Sequence, residues 1–197
     1  MPPNVLEEFP EARDSYDEYA SIRSRWPLSK RVMDDVLLSE RLQSLVRAVI
    51  PDDPRLFNEQ YIMKPSHSGT AGSFGWHRDS DSLSHLGLEP ENVTYMSLWI
   101  ALDDMTEENG CLVVRPLTGS QEIHLEVPRG SCILMSHLLY HKSGPNTTKF
   151  QRRAWMPQFS KGPIWNSERD HPLSLALSLC PTMAFSPQRN QPQSKNE

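Results

Sequence analysis

Tyr95-Met96-Ser97-Leu98-Trp99-Ile100-Ala101-Leu102 decides the fold class. Successive side chains of an extended chain point to opposite sides. Met96, Leu98, Ile100 and Leu102 therefore form one apolar face, and Tyr95, Ser97, Trp99 and Ala101 form the other. Glu108-Asn109-Gly110 is a turn signal, and Cys111-Leu112-Val113-Val114 reads as the returning strand. Working outward, Leu56 to Met63 reads as a strand and Lys64 to Gly75 as a loop. Glu122 to Val127 alternates again, with Ile123, Leu125 and Val127 on one side. Pro128-Arg129-Gly130 turns the chain into a short strand, Cys132 to Met135. Ala154 to Phe159 is the last strand, and Pro157 predicts an edge or a bulge there. Short strands at this spacing predict a sandwich or jelly roll. One amphipathic helix precedes them, from Ser39 to Val49. Leu38, Leu42, Leu45, Val46 and Val49 share its apolar face, Ser39 caps it and Pro51 ends it.

The chain has 197 residues, enough for one domain, and 20 basic against 25 acidic residues give a net charge of −5. That balance offers no basic footprint for nucleic acid. No apolar run of about 20 residues exists, so no membrane-spanning helix is predicted. We divide the chain into an arm (1–37), a β domain (38–163) and a Pro- and Ser-rich tail (164–197), disordered from about Pro187. Cys111, Cys132 and Cys180 are odd in number and widely spaced, and read as small apolar residues rather than a disulfide or zinc framework. The opening stretch, MPPNVLEEFPEARD, lacks the basic and apolar regions of a secretory leader. An intracellular, cytoplasmic protein is the expectation, and the glycosylation sequons at Asn92 and Asn146 are then read as chance.

The chemistry concentrates in Gly75-Trp76-His77-Arg78-Asp79. On a strand, His77 and Asp79 would point to the same side and reach one metal ion. A third ligand is needed from among His124, His137, His141 and His171. His141 lies at a junction of strand and turn, before Ser143-Gly144-Pro145-Asn146, which is a sensible position at the mouth of a barrel. Two imidazoles and a carboxylate make the facial triad of non-haem iron oxygenases, with open positions on the metal. Arg152 follows on the next strand, where a guanidinium suits a dicarboxylate. Arg152 and Arg153 are adjacent and face opposite sides, and periodicity alone does not choose between them.

Several stretches, in this order, resemble the phytanoyl-CoA dioxygenase family of Fe(II)/2-oxoglutarate oxygenases. They are Asn58 to Pro65, Trp76 to Asp79, Trp99 to Asp104, Glu108 to Leu112, His141 to Asn146 and Arg152-Arg153-Ala154. The resemblance spans about Leu38 to Phe159. It implies a mainly β, cupin-like double-stranded β-helix with a few flanking helices. It implies His77, Asp79 and His141 as iron ligands and Arg152 as the clamp on the far carboxylate of 2-oxoglutarate. Gln60 and Trp99 match positions lining the cosubstrate pocket, and Ser143 and Asn146 match the polar turn beyond the distal His. The implied reaction oxidises a small organic substrate, consumes O2 and 2-oxoglutarate, and releases succinate and CO2. Halogenating relatives lack the carboxylate that Asp79 supplies, so hydroxylation or a related oxidation is the expectation.

The chain also departs from the family pattern. Residues 1–37 match the family's N-terminal elements poorly, which opens the alternative of a truncated, non-catalytic β-helix that binds a ligand or partner. Pro116 to Ser120 stands where relatives often carry Pro-Gly-Ser-His. The link from Gly119 to Glu122 is short, which suggests an open mouth closed by residues 80–93 or by the tail.

Overall fold

In the computed structural model, residues 21, 24, 25, 31–52, 54–86, 93–165 and 177–179 are described. A π-helical turn, Met33–Leu37, leads into α1, Glu40–Arg47. Ser39 caps α1, its hydroxyl accepting from the Leu42 amide at 3.3 Å. Leu42 and Val46 are buried. Leu45 and Val49, placed on the same face by periodicity, are 41% and 52% exposed, because α1 ends at Arg47 and packs along a narrower stripe than the sequence suggests.

Nine strands follow among the described residues. They are β1 (Pro54–Lys64), β2 (Phe74–His77), β3 (Tyr95–Ala101), β4 (Leu112–Arg115), β5 (Ile123–Leu125), β6 (Cys132–Ser136), β7 (Tyr140–Ser143), β8 (Arg152–Lys161) and β9 (Leu177–Ser178). Short 3-10 helices, Gly69–Gly72 and Asp79–Leu86, flank β2. The strands form two antiparallel sheets, β6-β3-β8-β1-β9 and β2-β7-β4-β5. This is the double-stranded β-helix that the family resemblance implies.

Between the sheets, Trp99, Ala101, Met135, Ala154 and Met156 of the larger pack with Leu112 of the smaller. The outer face of the larger sheet carries a second core. There Leu56, Met96, Leu98 and Phe159 pack against Leu37, Leu42 and Val46. The alternation of Tyr95 to Leu102 separates these two cores, as a strand between two layers requires.

Three strand readings need correction. The stretch from Lys64 to Gly75 is not all loop, since β2 begins at Phe74. Pro157 does not mark an edge strand; β8 lies between β3 and β1. Its pairing with β3 has no partners opposite Leu98 and Trp99, so the missing amide falls in an interruption of the ladder. Leu177–Ser178, within the expected tail, pairs with Arg55 and Leu56 as an edge strand, because Leu177 and Leu179 bury themselves in the outer core. Of the cysteines, Cys111 is buried and Cys132 exposed. Cys180 lies outside the described residues, as do the arm up to residue 20 and the stretch from Pro187. Among the described residues, no helix is long and apolar enough to cross a membrane.

Gly110 closes the turn before β4 with φ of +78°, and a Cβ there would lie 2.4 Å from the Gly144 carbonyl oxygen. Both the left-handed backbone and the close approach require glycine. Gly110→Ala is expected to destabilise the fold by more than about 1 kcal/mol in urea unfolding. A loss below that would show that the turn relaxes freely.

Candidate functional site

His77 ends β2 and His141 lies on β7, and the two are directly opposite in the antiparallel pair. Their rings therefore stand side by side, with centroids 4.3 Å apart. Asp79 follows two residues on, but not on the strand. It opens the 3-10 helix, and this turn, rather than strand alternation, brings its carboxylate to the histidines. One ligand atom from each of His77, Asp79 and His141 lies within 4.8 Å of the others. His141 Nε2 is 3.6 Å from Asp79 Oδ1.

The tautomers follow from the hydrogen bonds. His77 Nδ1 lies 2.8 Å from the Gly75 carbonyl oxygen, and His141 Nδ1 lies 2.9 Å from that of Leu139. A carbonyl only accepts, so Nδ1 is the donor in each ring and Nε2 is left as the nitrogen available to a metal. That is the state a metal-binding histidine needs. His137 is different. It is buried, its Nδ1 donates to the Tyr95 carbonyl at 2.9 Å, and its ring stacks on Tyr95. His124 faces Glu107 at 3.6 Å. His171 lies outside the described residues.

The three side chains line a cavity of about 430 Å³ together with Gln60, Trp99, Ser143 and Arg152. Asn146 does not line it. It is fully buried in the following loop, where its amide donates to the Phe150 and Lys64 carbonyls and its oxygen accepts from Thr148. Asn146, which the resemblance placed in the polar turn beyond the distal His, therefore organises the wall rather than lining the cavity. Its complete burial also leaves no room for a glycan.

The structure separates the two arginines. Arg152 is 1% exposed and points into the barrel, with its guanidinium 5.3 Å from the Trp99 ring centroid. Arg153 faces out and forms a fork with Asp103, at 2.9 Å to Oδ2 and 2.7 Å to Oδ1. That hydrogen-bonded pair holds the Asp103 carboxyl below its usual range. Arg152 Nη2 donates to the Gly110 carbonyl, whereas its Nε and Nη1 are buried with no hydrogen-bond partner. Buried guanidinium donors left unpaired are costly, and so mark a place where an acceptor belongs.

Lys64 is a functional candidate that the sequence reading passed over. It lies opposite Arg152 in the β1–β8 pair and is 1% exposed. Its ammonium donates to the carbonyls of Gly72 and Gly144 and lies 3.4 Å from that of Ser143. Burial, and then Arg152, lower its pKa to about 8, while burial lowers that of Arg152 to about 10. The cavity thus has a His-Asp-His group in its wall and a buried guanidinium with an ammonium on the neighbouring strand. Period 2 along β1, counted from Gln60, would have found Lys64.

Residues 5–123 and 117–154 match the phytanoyl-CoA dioxygenase (PhyH) family. The chain belongs to that family. It is 29% identical over 162 residues to phytanoyl-CoA dioxygenase domain-containing protein 1 of Bos taurus, covering 66% of this chain and 54% of that protein. Its Mus musculus counterpart is 26% identical over 167 residues, covering 68% and 55%. The chain spans about half the length of these curated relatives. Among solved structures, it resembles EctD from S. alaskensis with 2-oxoglutarate and 5-hydroxyectoine, with a TM-score of 0.60, 20% identity, and 79% and 61% of the two chains covered. It also resembles the non-heme alpha ketoglutarate dependent epimerase SnoN from nogalamycin biosynthesis, with a TM-score of 0.59, 16% identity, and 78% and 75% covered. These likenesses are in fold.

Lys64 makes a prediction for the metal-free family member. Its folded pKa of about 8 lies below the ordinary 10.5, so between these values the unfolded chain binds more protons than the folded one. Stability then rises with pH across that window. The unfolding free energy of the wild type relative to Lys64→Met should therefore climb from about pH 8 to 10.5 and level off above. A difference that stays flat across the window would mean that Lys64 is solvated in the folded state.

Proposed function

We propose that this chain is an Fe(II)- and 2-oxoglutarate-dependent dioxygenase that hydroxylates, or otherwise oxidises, a small organic substrate. The observation that carries the reading is one cavity lined both by the His77, Asp79 and His141 group and by a buried arginine with unpaired donors. Family membership agrees with it, as does the likeness in fold to EctD, which was solved with 2-oxoglutarate.

The residues present fit the group. Two neutral Nε2 atoms and one carboxylate are the donor set of a facial triad with open positions. Iron bound there supplies the oxidising chemistry that couples decarboxylation of 2-oxoglutarate to oxidation of a substrate C–H bond. The chain's own part is binding and geometry. His77 and His141 are held by backbone carbonyls in the required tautomer. Arg152 offers Nε and Nη1 to the far carboxylate in the planar fork that suits it. Lys64 adds a second positive charge behind it. Trp99, buried under the guanidinium, keeps that end of the cavity dry, which strengthens the ionic contact. Gln60 and Ser143 supply polar wall. Free Cys111 and Cys132 suit a reducing, intracellular setting.

The test is an anaerobic titration with Fe(II) and then 2-oxoglutarate, following the visible charge-transfer band of the chelated complex. The band should appear in the wild type and vanish in His77→Ala, Asp79→Ala and His141→Ala. Arg152→Ala should raise the 2-oxoglutarate concentration needed by about 10-fold or more, as loss of a charge-assisted pair implies. Arg153→Ala should leave that requirement unchanged. A folded wild type without the band would refute the reading and favour a non-catalytic binding protein. Metal binding without response to 2-oxoglutarate would point to a cupin-like metalloprotein instead.

A further inference from the structure

The inner face of the larger sheet carries an unexpected polar row. Asn58 on β1, Gln158 on β8 and Ser97 on β3 are register partners on three adjacent strands. Ser97 is 0% and Gln158 4% exposed. Polar side chains on an interior face are costly unless bonded, and here the bonds run in one direction. Asn58 Nδ2 donates to Gln158 Oε1 at 2.7 Å. With its oxygen so engaged, Gln158 turns its amide NH2 inward. Nε2 donates to Ser97 Oγ at 2.8 Å and to Asp79 Oδ2 at 3.2 Å. The Ser97 hydroxyl donates to the same oxygen at 2.6 Å. Both donors meet Asp79 on Oδ2, while Oδ1 is the oxygen that faces His141 Nε2.

We propose that Ser97 and Gln158 are positioning residues that restrict Asp79 to binding metal through Oδ1 alone, and that Asn58 sets the donor sense of Gln158. The inference rests on reading His77, Asp79 and His141 as the metal site. A carboxylate whose second oxygen holds two donors cannot chelate with both oxygens without giving those bonds up. It therefore spends one coordination position rather than two. It is also held in place from the larger sheet, while both histidines are held from the smaller. The amide orientation is essential. Reversed, Gln158 would set its oxygen against the carboxylate and the Ser97 hydroxyl oxygen, and Asn58 is the group that prevents this. No property of Ser97 or Gln158 in isolation marks them; their common target does.

The experiment measures Mn(II) affinity of the full chain from the electron paramagnetic resonance signal of free Mn(II), with no cosubstrate and no turnover. Partners of a metal ligand typically contribute about 10–100-fold to metal affinity. Ser97→Ala and Gln158→Met should each weaken binding by that factor. Ser97→Thr, which keeps the hydroxyl donor, should stay within about 3-fold of the wild type. Asn58→Ala does not touch Asp79 and should weaken binding by about 3–10-fold through Gln158 alone. That variant carries the test if the two buried ones do not fold, which their metal-free thermal midpoints will report. His77→Ala is the control. If His77→Ala loses Mn(II) while Ser97→Ala, Gln158→Met and Asn58→Ala bind it as the wild type does, the positioning inference is wrong and the metal site stands. If the wild type binds no Mn(II), or binds it regardless of His77, the metal site itself is wrong and the inference falls with it.

Discussion

The register of β1 against β8 is the constraint on which the site depends. Lys64 opposite Arg152, Ile62 opposite Ala154, Gln60 opposite Met156 and Asn58 opposite Gln158 all face inward along this pair. A slip of one residue would turn every one of these outward, because the side-chain period is 2. The register is held from outside the barrel. Asp103 takes the Arg153 guanidinium in a fork and also accepts its backbone amide at 2.8 Å. With Arg153 fixed outward, Arg152 has only the interior. A shift between Leu56 and Asn58 realigns the other end of β1, so that Asn58 meets Gln158. A surface ion pair of this kind contributes little to stability, yet here it decides which arginine enters the cavity.

The interior is correspondingly tense. Arg152 and Lys64 are two buried cations, and none of the ion pairs among the described residues neutralises either. Lys64 meets backbone carbonyls and the face of Phe74, and two donors of Arg152 have no hydrogen-bond partner. Core packing from Trp99, Leu112 and Met156 surrounds this charge. A scaffold that only needed stability would gain from apolar residues at these positions. The pair makes sense where a ligand brings the missing negative charge, and a dicarboxylate has the shape and charge to do so.

Much of this was legible in the chain. The alternation of Tyr95 to Leu102 predicted a strand between two layers, and it separates the two cores. His77 and Asp79 stood out by residue type and spacing, His141 was one of four histidines that could complete the set, and the family resemblance implied the three that the structure groups. The reason offered for His77 and Asp79 was nevertheless different: the two do not share a strand, and a helical turn brings them together. The choice of Arg152 over Arg153 had no local signal, since its cause, Asp103, is 50 positions away. Pro157 misled because an interrupted ladder tolerates in a central strand what an intact one would exclude. Leu177–Ser178 was hidden in polar sequence, since a strand of two residues has no period to read. Lys64, Ser97 and Gln158 did obey the alternation, but as polar residues on strands they carried no sign of what they meet.

The candidate metal-binding group also joins the two layers. His77 and His141 belong to neighbouring strands of the smaller sheet, whose rungs fix the distance between them. Asp79 leaves that sheet, and its Oδ2 is bonded to Ser97 and Gln158 of the larger one. The carboxylate is therefore a tie between the layers, beside the contacts that Lys64 makes with the Ser143 and Gly144 carbonyls and the apolar packing around them. Apolar contacts resist separation but allow small sliding, whereas directional hydrogen bonds do not. A ligand set drawn from one sheet would keep its geometry whatever the other did. A set drawn from both keeps it only while the layers hold their relative position. The polar row on the inner face then has a mechanical meaning: it transfers the rigidity of three paired strands to the one candidate ligand that is not on a strand.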